Sequence, residues 1–340
     1  MNWKVNGAHR DWSLNDLGFM HTADFISAGG EIEYKNNVPW WWFRSVSVSA
    51  SHERQWTFGK EQIHNGTNLM LSGRLRNKWS VFMRVTRMAD AINPRLLRGG
   101  PAMIQEGHWC RFLRIGTDDA NKVSGGFGIH SHRHDDAPAS QTLDFFPFLT
   151  FKPTPQSRLR AELDYSKSRT PFQYVEAEAP LYVLARLDRE TIGITLRMDL
   201  SITPDFTIQF YGNPYFSTGQ YSRFKSIDNP QADRYRDRYS ILDQELAYSS
   251  EDEQFKVDAD LDGSADLGFD DPDFNFAEFR SNVVARWEFK PGSTLFFVYT
   301  HGRSAYETIT RSSFSHNVDN LLHTRPDNIF IIKLNVWFSV

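Results

Sequence analysis

The chain has 340 residues, enough for two soluble domains or one large barrel. Its formal net charge of −4 excludes a strongly basic nucleic-acid-binding surface. The one cysteine, Cys110, excludes an internal disulfide framework and a Cys-based zinc site, and reads as a small buried or lipid-facing hydrophobe. Mean hydropathy is −0.51 with 14% aromatic residues. Those averages suit a soluble protein. They equally suit a transmembrane barrel, in which half of the strand residues face a polar lumen. No apolar run approaches the ~18 residues of a membrane helix.

Taken in order, the apolar residues alternate with polar ones, the period of a strand with two unlike faces. The pattern predicts about 14 strands, at 1–10, 25–36, 43–56, 64–76, 79–88, 108–117, 123–132, 140–152, 157–167, 188–202, 206–217, 275–289, 293–303 and 328–340. Short turns are expected at Asn37–Trp42, Arg76–Lys78, Asp118–Lys122, Thr154–Gln156, Thr203–Asp205 and Lys290–Gly292. Long polar loops are expected at Asp11–Phe25, Ala89–Gly107, Arg133–Ala139, Ser168–Leu187, Thr218–Asn275 and Ser304–Asp327. Short turns on one side and long loops on the other are the layout of an outer-membrane barrel, with periplasmic turns and extracellular loops. An even strand number lets the first and last strands close antiparallel. A soluble β-sandwich that binds carbohydrate is the competing architecture, its polar faces in water.

The hairpin from Thr191 to Asn213 shows the pattern most clearly. Ile192, Ile194, Leu196, Met198, Leu200 and Ile202 share one face, and Arg197 and Asp199 lie on the other. Trp40, Trp41, Trp42, Phe43, Trp79, Phe151, Phe206, Trp287, Phe289, Trp337 and Phe338 cluster near short turns or the C-terminus, as an interfacial girdle would. On the barrel reading the polar face is a lumen lined by Arg74, Arg84, Arg158, Arg160, Glu162, Asp164, Arg197, Asp199, Gln209, Arg286, Glu288 and Lys333. Paired carboxylates such as Glu162 and Asp164 can do glycosidase chemistry. Arginines accompany them on the same face, however, and opposite charges across a lumen satisfy each other. No enzyme is expected.

The segments Asn15–Phe19, Arg98–Met103, Asp271–Asn282 and Arg286–Arg303, with the closing strand, resemble a bacterial outer-membrane barrel domain of unknown function. That domain usually follows a family-nine carbohydrate-binding-like module. The resemblance spans nearly the whole chain. It implies a single barrel domain over 1–340 in the bacterial outer membrane, with 218–275 as a long external loop. It also implies that an export signal, the module and possibly the first strands belong to a longer gene product. The family is sometimes labelled a membrane-associated hydrolase through its module, and it supplies no catalytic residues to carry over. The expected partners are outer-membrane lipid, the barrel-assembly machinery and a glycan or peptide ligand, with no nucleic acid. The end of the chain, Lys333–Val340, resembles the signal read by that machinery, with Asn335 where glycine is usual. The expected function is a channel or transport-associated barrel of unknown solute. The alternatives are a membrane anchor for the module and the soluble carbohydrate binder.

Three further constellations carry chemistry. Asp258, Asp260, Asp262, Gly263 and Asp266 match the start of a calcium loop, in which hard oxygen ligands at alternate places wrap one Ca2+ ion. Phe269 stands where the bidentate glutamate is expected, with Asp270 or Asp271 as substitutes; a solvated acidic loop is the plain reading. His130, His132 and His134, before Asp135 and Asp136, share a strand face and form either a transition-metal site or a polar rim. Arg98–Pro101 reads as a folded-in loop that constricts the lumen, because no helix follows to make a phosphate cradle.

Overall fold

A computed structural model gives the fold, and the structure describes residues 1–12, 23–135, 140–308 and 314–338. The chain runs β1 (Asn2–Ala8), β2 (Phe25–Asn36), β3 (Phe43–Trp56), β4 (Gln62–Leu75) and β5 (Ser80–Met88). A small hairpin follows, β6 (Ala91–Asn93) and β7 (Met103–Gln105). Then come β8 (His108–Gly116), β9 (Val123–His134), β10 (Gln141–Phe151), β11 (Ser157–Glu178), β12 (Leu181–Thr203) and β13 (Phe206–Ile227). Four short strands follow: β14 (Tyr239–Ile241), β15 (Leu246–Ser249), β16 (Gln254–Val257) and β17 (Leu267–Asp270). The chain closes with β18 (Phe274–Lys290), β19 (Ser293–Glu307), helix α1 (Phe314–His323) and β20 (Asp327–Asn335).

The protein is all-β, dominated by one 15-stranded antiparallel sheet. Fourteen of its strands form an up-and-down path in sequence order, from β1 to β5, β8 to β13 and β18 to β20, and β14 adds beside β13. The short turns fall at the expected places. The expected closure is different. Among the described residues β1 pairs only with β2 and β20 only with β19, so no ladder joins the two ends of the sheet. The motif Asn15–Phe19, the residues Asp136–Ala139, and Ser339 and Val340 of the expected assembly signal lie outside the described residues.

Directly paired residues in an antiparallel ladder point to the same side. One rung runs Tyr34, Val48, Leu71, Met83, Leu113, Ile129, Phe145, Tyr165, Ile192, Phe216, Ala277 and Ala305, each the partner of the next. The neighbouring rung on the opposite side runs Glu33, Ser49, Met70, Arg84, Phe112, His130, Asp144, Ser166, Thr191, Ser217, Phe276 and Tyr306. The first is apolar or aromatic throughout, and the second is mostly polar. Much of the apolar face is bare, with Tyr34 62% and Met83 46% exposed.

At Pro147 and Pro214 a ladder is interrupted without a change of register. Proline has no amide hydrogen to donate. Pro147 keeps its pairing with β9 while the ladder to β11 skips from Phe145↔Tyr165 to Phe148↔Glu162. Pro214 keeps its place opposite Phe279 of β18, and the ladder to β12 skips from Leu196↔Gly212 to Gly193↔Tyr215. There the Asn213 side-chain amide donates to the Ile194 carbonyl at 3.1 Å and to Thr195 Oγ1 at 3.1 Å. A side chain replaces the missing backbone donor.

The long-loop end is built rather than loose. The expected loop Ser168–Leu187 is strand: β11 and β12 continue through it and turn at Ala179–Pro180. Bulges between Thr170 and Gln173 and between Tyr174 and Glu176 shift the side-chain parity there, which hides the period in the sequence. The segment 218–275 likewise begins as strand to Ile227 and then carries β14 and the three-stranded sheet β15–β17. Val183, Leu184 and Ala185 of β12 are all fully buried, so both strand faces are covered. Val183 and Ala185 pack with Val257, Leu267 and Phe269 of the small sheet, whereas Leu184 packs with Leu97 and Met103 of the loop after β5. That loop is packed against the strands, with Arg98 over the Tyr174 ring at 4.4 Å. Arg238 ties it down: its guanidinium pairs with Glu106 and donates to the Ile104 carbonyl at 3.1 Å and the Ala232 carbonyl at 2.8 Å. Within the expected loop Ser304–Asp327, α1 lays Leu321 on Phe216 and Ala277.

Replacing Asn213 by Ala leaves the Ile194 carbonyl without that donor, and we expect a loss of about 1–3 kcal/mol of stability. Urea unfolding of purified Asn213→Ala and unmodified protein, followed by tryptophan fluorescence, measures it; Asn213→Asp, which cannot donate, is expected to do no better.

Candidate functional site

The ladders place all of the expected lumen residues on the polar face. Arg158 lies opposite Asp199, and Asp199 opposite Gln209. Arg160 lies opposite Arg197, and Arg197 opposite Tyr211. Arg286 and Lys333 are both opposite Phe296, and Arg84 is opposite Phe112. Glu162, Asp164 and Glu288 follow at two-residue steps on the same face, and Arg74 faces Ser80. They are spread over the whole sheet and do not converge on one point.

Most of these charges have close neighbours. Arg160 donates to Glu162 at 2.6 Å, Arg286 donates to Glu288 at 2.6 Å, and Gln209 donates to Asp199 at 3.2 Å. Arg160 and Arg114 flank the Phe148 ring at 4.8 and 4.9 Å, and Arg197 lies 5.5 Å from the Tyr211 ring. Arginine on an aromatic face keeps its charge while packing its flat surface. The result is a strip of paired charge and ring, suited to polar ligands. Glu162 is paired with Arg160, and Asp164 lies two residues on, opposite Gly193.

At the short-turn end Arg74 is held by Asp118. Asp118 accepts the Ala120 backbone N–H at 3.2 Å and lies 3.2 Å from Lys78 and 3.5 Å from Arg74. The Ala120 hydrogen bond, and after it Lys78, holds the Asp118 carboxyl below the usual carboxylate range.

The calcium-loop residues lie between β16 and β17. Carboxylate oxygens of Asp258, Asp260 and Asp262 all lie within 4.8 Å of one another. Gly263 has φ +92°, the left-handed conformation that the sharp bend of such a loop needs. The carboxylates also serve the loop itself: Asp258 accepts from Asp262 N at 3.1 Å and Gly263 N at 2.8 Å, and Asp266 accepts from Ala259 N at 2.8 Å.

A second cluster was only half visible in the sequence. Cys110 is the ladder partner of His132, and His108 of His134, on the polar face of the β8–β9 hairpin. Cys110 therefore belongs with histidines on the polar face, which corrects its reading as a small buried or lipid-facing hydrophobe and reopens the zinc site that a single cysteine excludes on sequence alone. The ligating atoms of His108, Cys110 and His132 lie within 4.8 Å of one another. The ring centroids are 4.3 Å apart for His108–His132 and 4.8 Å apart for His132–His134. His130 stands apart, bonded to Asp144 at 2.7 Å. The outward residues at this level are Trp109, Arg111, Ser131 and Arg133, so the cluster sits at the long-loop edge of the apolar band. Burial pushes all three imidazoles below their ordinary range, His132 to about 4, and pushes the Cys110 thiol up. The imidazoles are therefore neutral near pH 7. The only sequence signal for His108 and Cys110 was their even spacing, and the register that joins them to β9 is a tertiary fact.

Lys225 is also buried at the long-loop end, donating to the Pro171 carbonyl at 2.5 Å and lying 4.8 Å from the Phe172 ring. Burial lowers its pKa to about 8.

The fold and face pattern define a large antiparallel β-sheet protein with one charged and one apolar surface. Residues 1–339 match the family model described as Domain of unknown function (DUF5916). The chain belongs to that family. No curated protein and no solved structure matches it.

The Asp118 contribution to stability is expected in full above its unfolded pKa of about 3.9 and to be lost as pH falls through the lower folded value. Unfolding midpoints measured from pH 7 down to pH 3 test this. Asp118→Asn is expected to lower the midpoint at pH 7 and to flatten its fall with acid.

Proposed function

We propose that this chain is an outer-membrane β-barrel whose charged face lines a lumen that passes or binds a polar solute, of glycan or peptide type. The observation that carries the reading is the uninterrupted apolar rung from Tyr34 to Ile192, much of it exposed. Each such side chain left in water forgoes about 2 kcal/mol. Summed along that rung the loss is of the order of the whole 5–15 kcal/mol by which a domain is stable, so a cover is required, and lipid is one that fits a face of this extent. The apolar stretch Ile192–Ile202 rises ~3.4 Å per residue and, tilted by ~40°, spans roughly 25 Å. Trp40, Trp41, Trp42 and Trp287 stand exposed at its short-turn edge, where an interfacial girdle belongs. A bilayer also requires every strand edge to be paired, so this reading needs β1 and β20 to close on each other or on further strands. It implies delivery by the barrel-assembly machinery and, by family resemblance, an associated carbohydrate-binding-like module.

One observation favours a second reading, a membrane anchor without pore activity. The charges on the polar face pair within the sheet, as Arg160 with Glu162 and Arg286 with Glu288, and leave few obvious calls on a solute. Within either reading the Asp258–Asp266 loop takes Ca2+ and orders the 218–275 segment.

The purified protein is expected to need detergent to stay monodisperse and to conduct in planar bilayers, with Arg160→Glu plus Arg197→Glu moving the reversal potential toward cation preference. A species monodisperse in plain buffer would sink the barrel, and silent bilayers would favour the anchor. For the loop, calorimetric titration is expected to show Ca2+ binding that Asp258→Asn weakens at least tenfold, with slower proteolysis of 218–275 when Ca2+ is present. Absence of heat in the unmodified protein removes the calcium assignment.

A further inference from the structure

We propose that His108, Cys110 and His132, with His134 beside them, form a binding site for a borderline-soft transition-metal ion of the Zn2+ class. The donor set lies on the β8–β9 hairpin, and the inference stands or falls independently of the membrane reading.

The donor set comes first. One thiol and two imidazoles converge from two adjacent strands, their ligating atoms within 4.8 Å of one another. In a tetrahedral site with metal–sulfur and metal–nitrogen bonds of about 2.3 and 2.0 Å, ligand atoms are about 3.3–3.6 Å apart. Closing from the observed spacing takes shifts of about 1 Å or less, within the reach of side-chain torsions. Sulfur with imidazole selects zinc-like and copper-like ions over magnesium or calcium.

Unused hydrogen-bonding capacity is an independent observation. His108 Nδ1, His132 Nε2 and His134 Nδ1 are buried and have no hydrogen-bond partner. Leaving a buried polar nitrogen unpaired costs stability, and three such atoms gathered in one cluster need a common explanation. Glu106, which lines a cavity together with His132 and His134, is held by Arg238, so this wall of the cluster belongs to the tied-down loop.

Access is present on both sides. A cavity of about 260 Å³ is lined by His132 and His134 together with Gln105 and Glu106. Another of about 420 Å³ on the polar face is lined by Cys110, His130 and Arg84. An ion can enter from the rim, and a polar ligand can approach it from the sheet face. On binding, the metal–sulfur bond forms as the Cys110 thiol proton leaves to solvent; no redox change is involved.

The test uses the full chain in detergent, freed of metal by chelation. Co2+ is expected to bind with one-to-one stoichiometry and give a thiolate-to-metal charge-transfer band, which Zn2+ abolishes by displacement. Cys110→Ser should remove the band, and His132→Ala should weaken Zn2+ affinity by more than about tenfold, while Asp258→Asn changes neither. A measurement free of variants guards against misfolding: Zn2+ should slow maleimide alkylation of Cys110 in the unmodified protein at least tenfold. Unchanged alkylation, or Zn2+ affinity that survives both Cys110→Ser and His132→Ala in folded protein, overturns the site.

Discussion

Parity of register is the constraint on which the rest of this structure depends. In each strand neighbouring side chains point to opposite sides, and in each antiparallel ladder directly paired residues point to the same side. A slip by one residue in any ladder would send every later charge to the apolar face. From β2 to β19 the partners keep step, so Glu33 and Tyr306 belong to the same surface although 273 positions apart by their numbers (306 minus 33). The separation of charge from hydrocarbon is thus a global property made of local pairings. Tight turns hold it at one end, where only a few residues separate successive strands.

Where a ladder is interrupted, the chain recovers it locally. Pro214 removes a donor and Asn213 restores one to Ile194. Bulges near Thr170 and Tyr174 shift β11, and the strand re-enters the ladder at Gln173 and Glu176. Lys225, buried at this level, spends its donor on the Pro171 carbonyl. The bulges and Lys225 gather at the long-loop end, past the apolar band, whereas Asn213 acts within it. The regular part of the sheet gives a uniform surface and carries the cysteine–histidine cluster on its β8–β9 ladder, whereas the irregular part aims individual side chains.

Much of the strand layout was legible because period 2 survives wherever a strand has one apolar face. The expected strand 43–56 has the observed bounds, Phe43–Trp56, and the charged residues expected to line a lumen share one face of the sheet. The stretch Ser168–Leu187 was misread as loop because two bulges and Pro171 break the alternation within a few residues. The same holds past Thr218, where Arg223 adopts φ +53° and the ladder to β12 shifts between Leu184 and Arg186. The cluster around Cys110 was out of reach for another reason. Its members lie on two strands, and sequence spacing within each says nothing about which residue of one faces which of the other. Sheet closure is a relation between strands at opposite ends of the chain, and no local pattern encodes it.

The Arg238–Glu106 tie has a consequence for the order of events in folding. It joins residues 132 positions apart, and the same guanidinium reaches the Ile104 carbonyl across 134. Closing a loop of that length in an open chain costs about 4 kcal/mol of entropy, and a lone guanidinium stripped of water has nothing to repay it until its acceptors are assembled. Hairpins β8–β9, β10–β11 and β12–β13 need only neighbouring residues to meet. They can form first, and their pairing shortens the gap that Arg238 must bridge. The mouth of the sheet is therefore a late-setting seal: the strands assemble as a series of local zippers, and one buried cation then locks the far end.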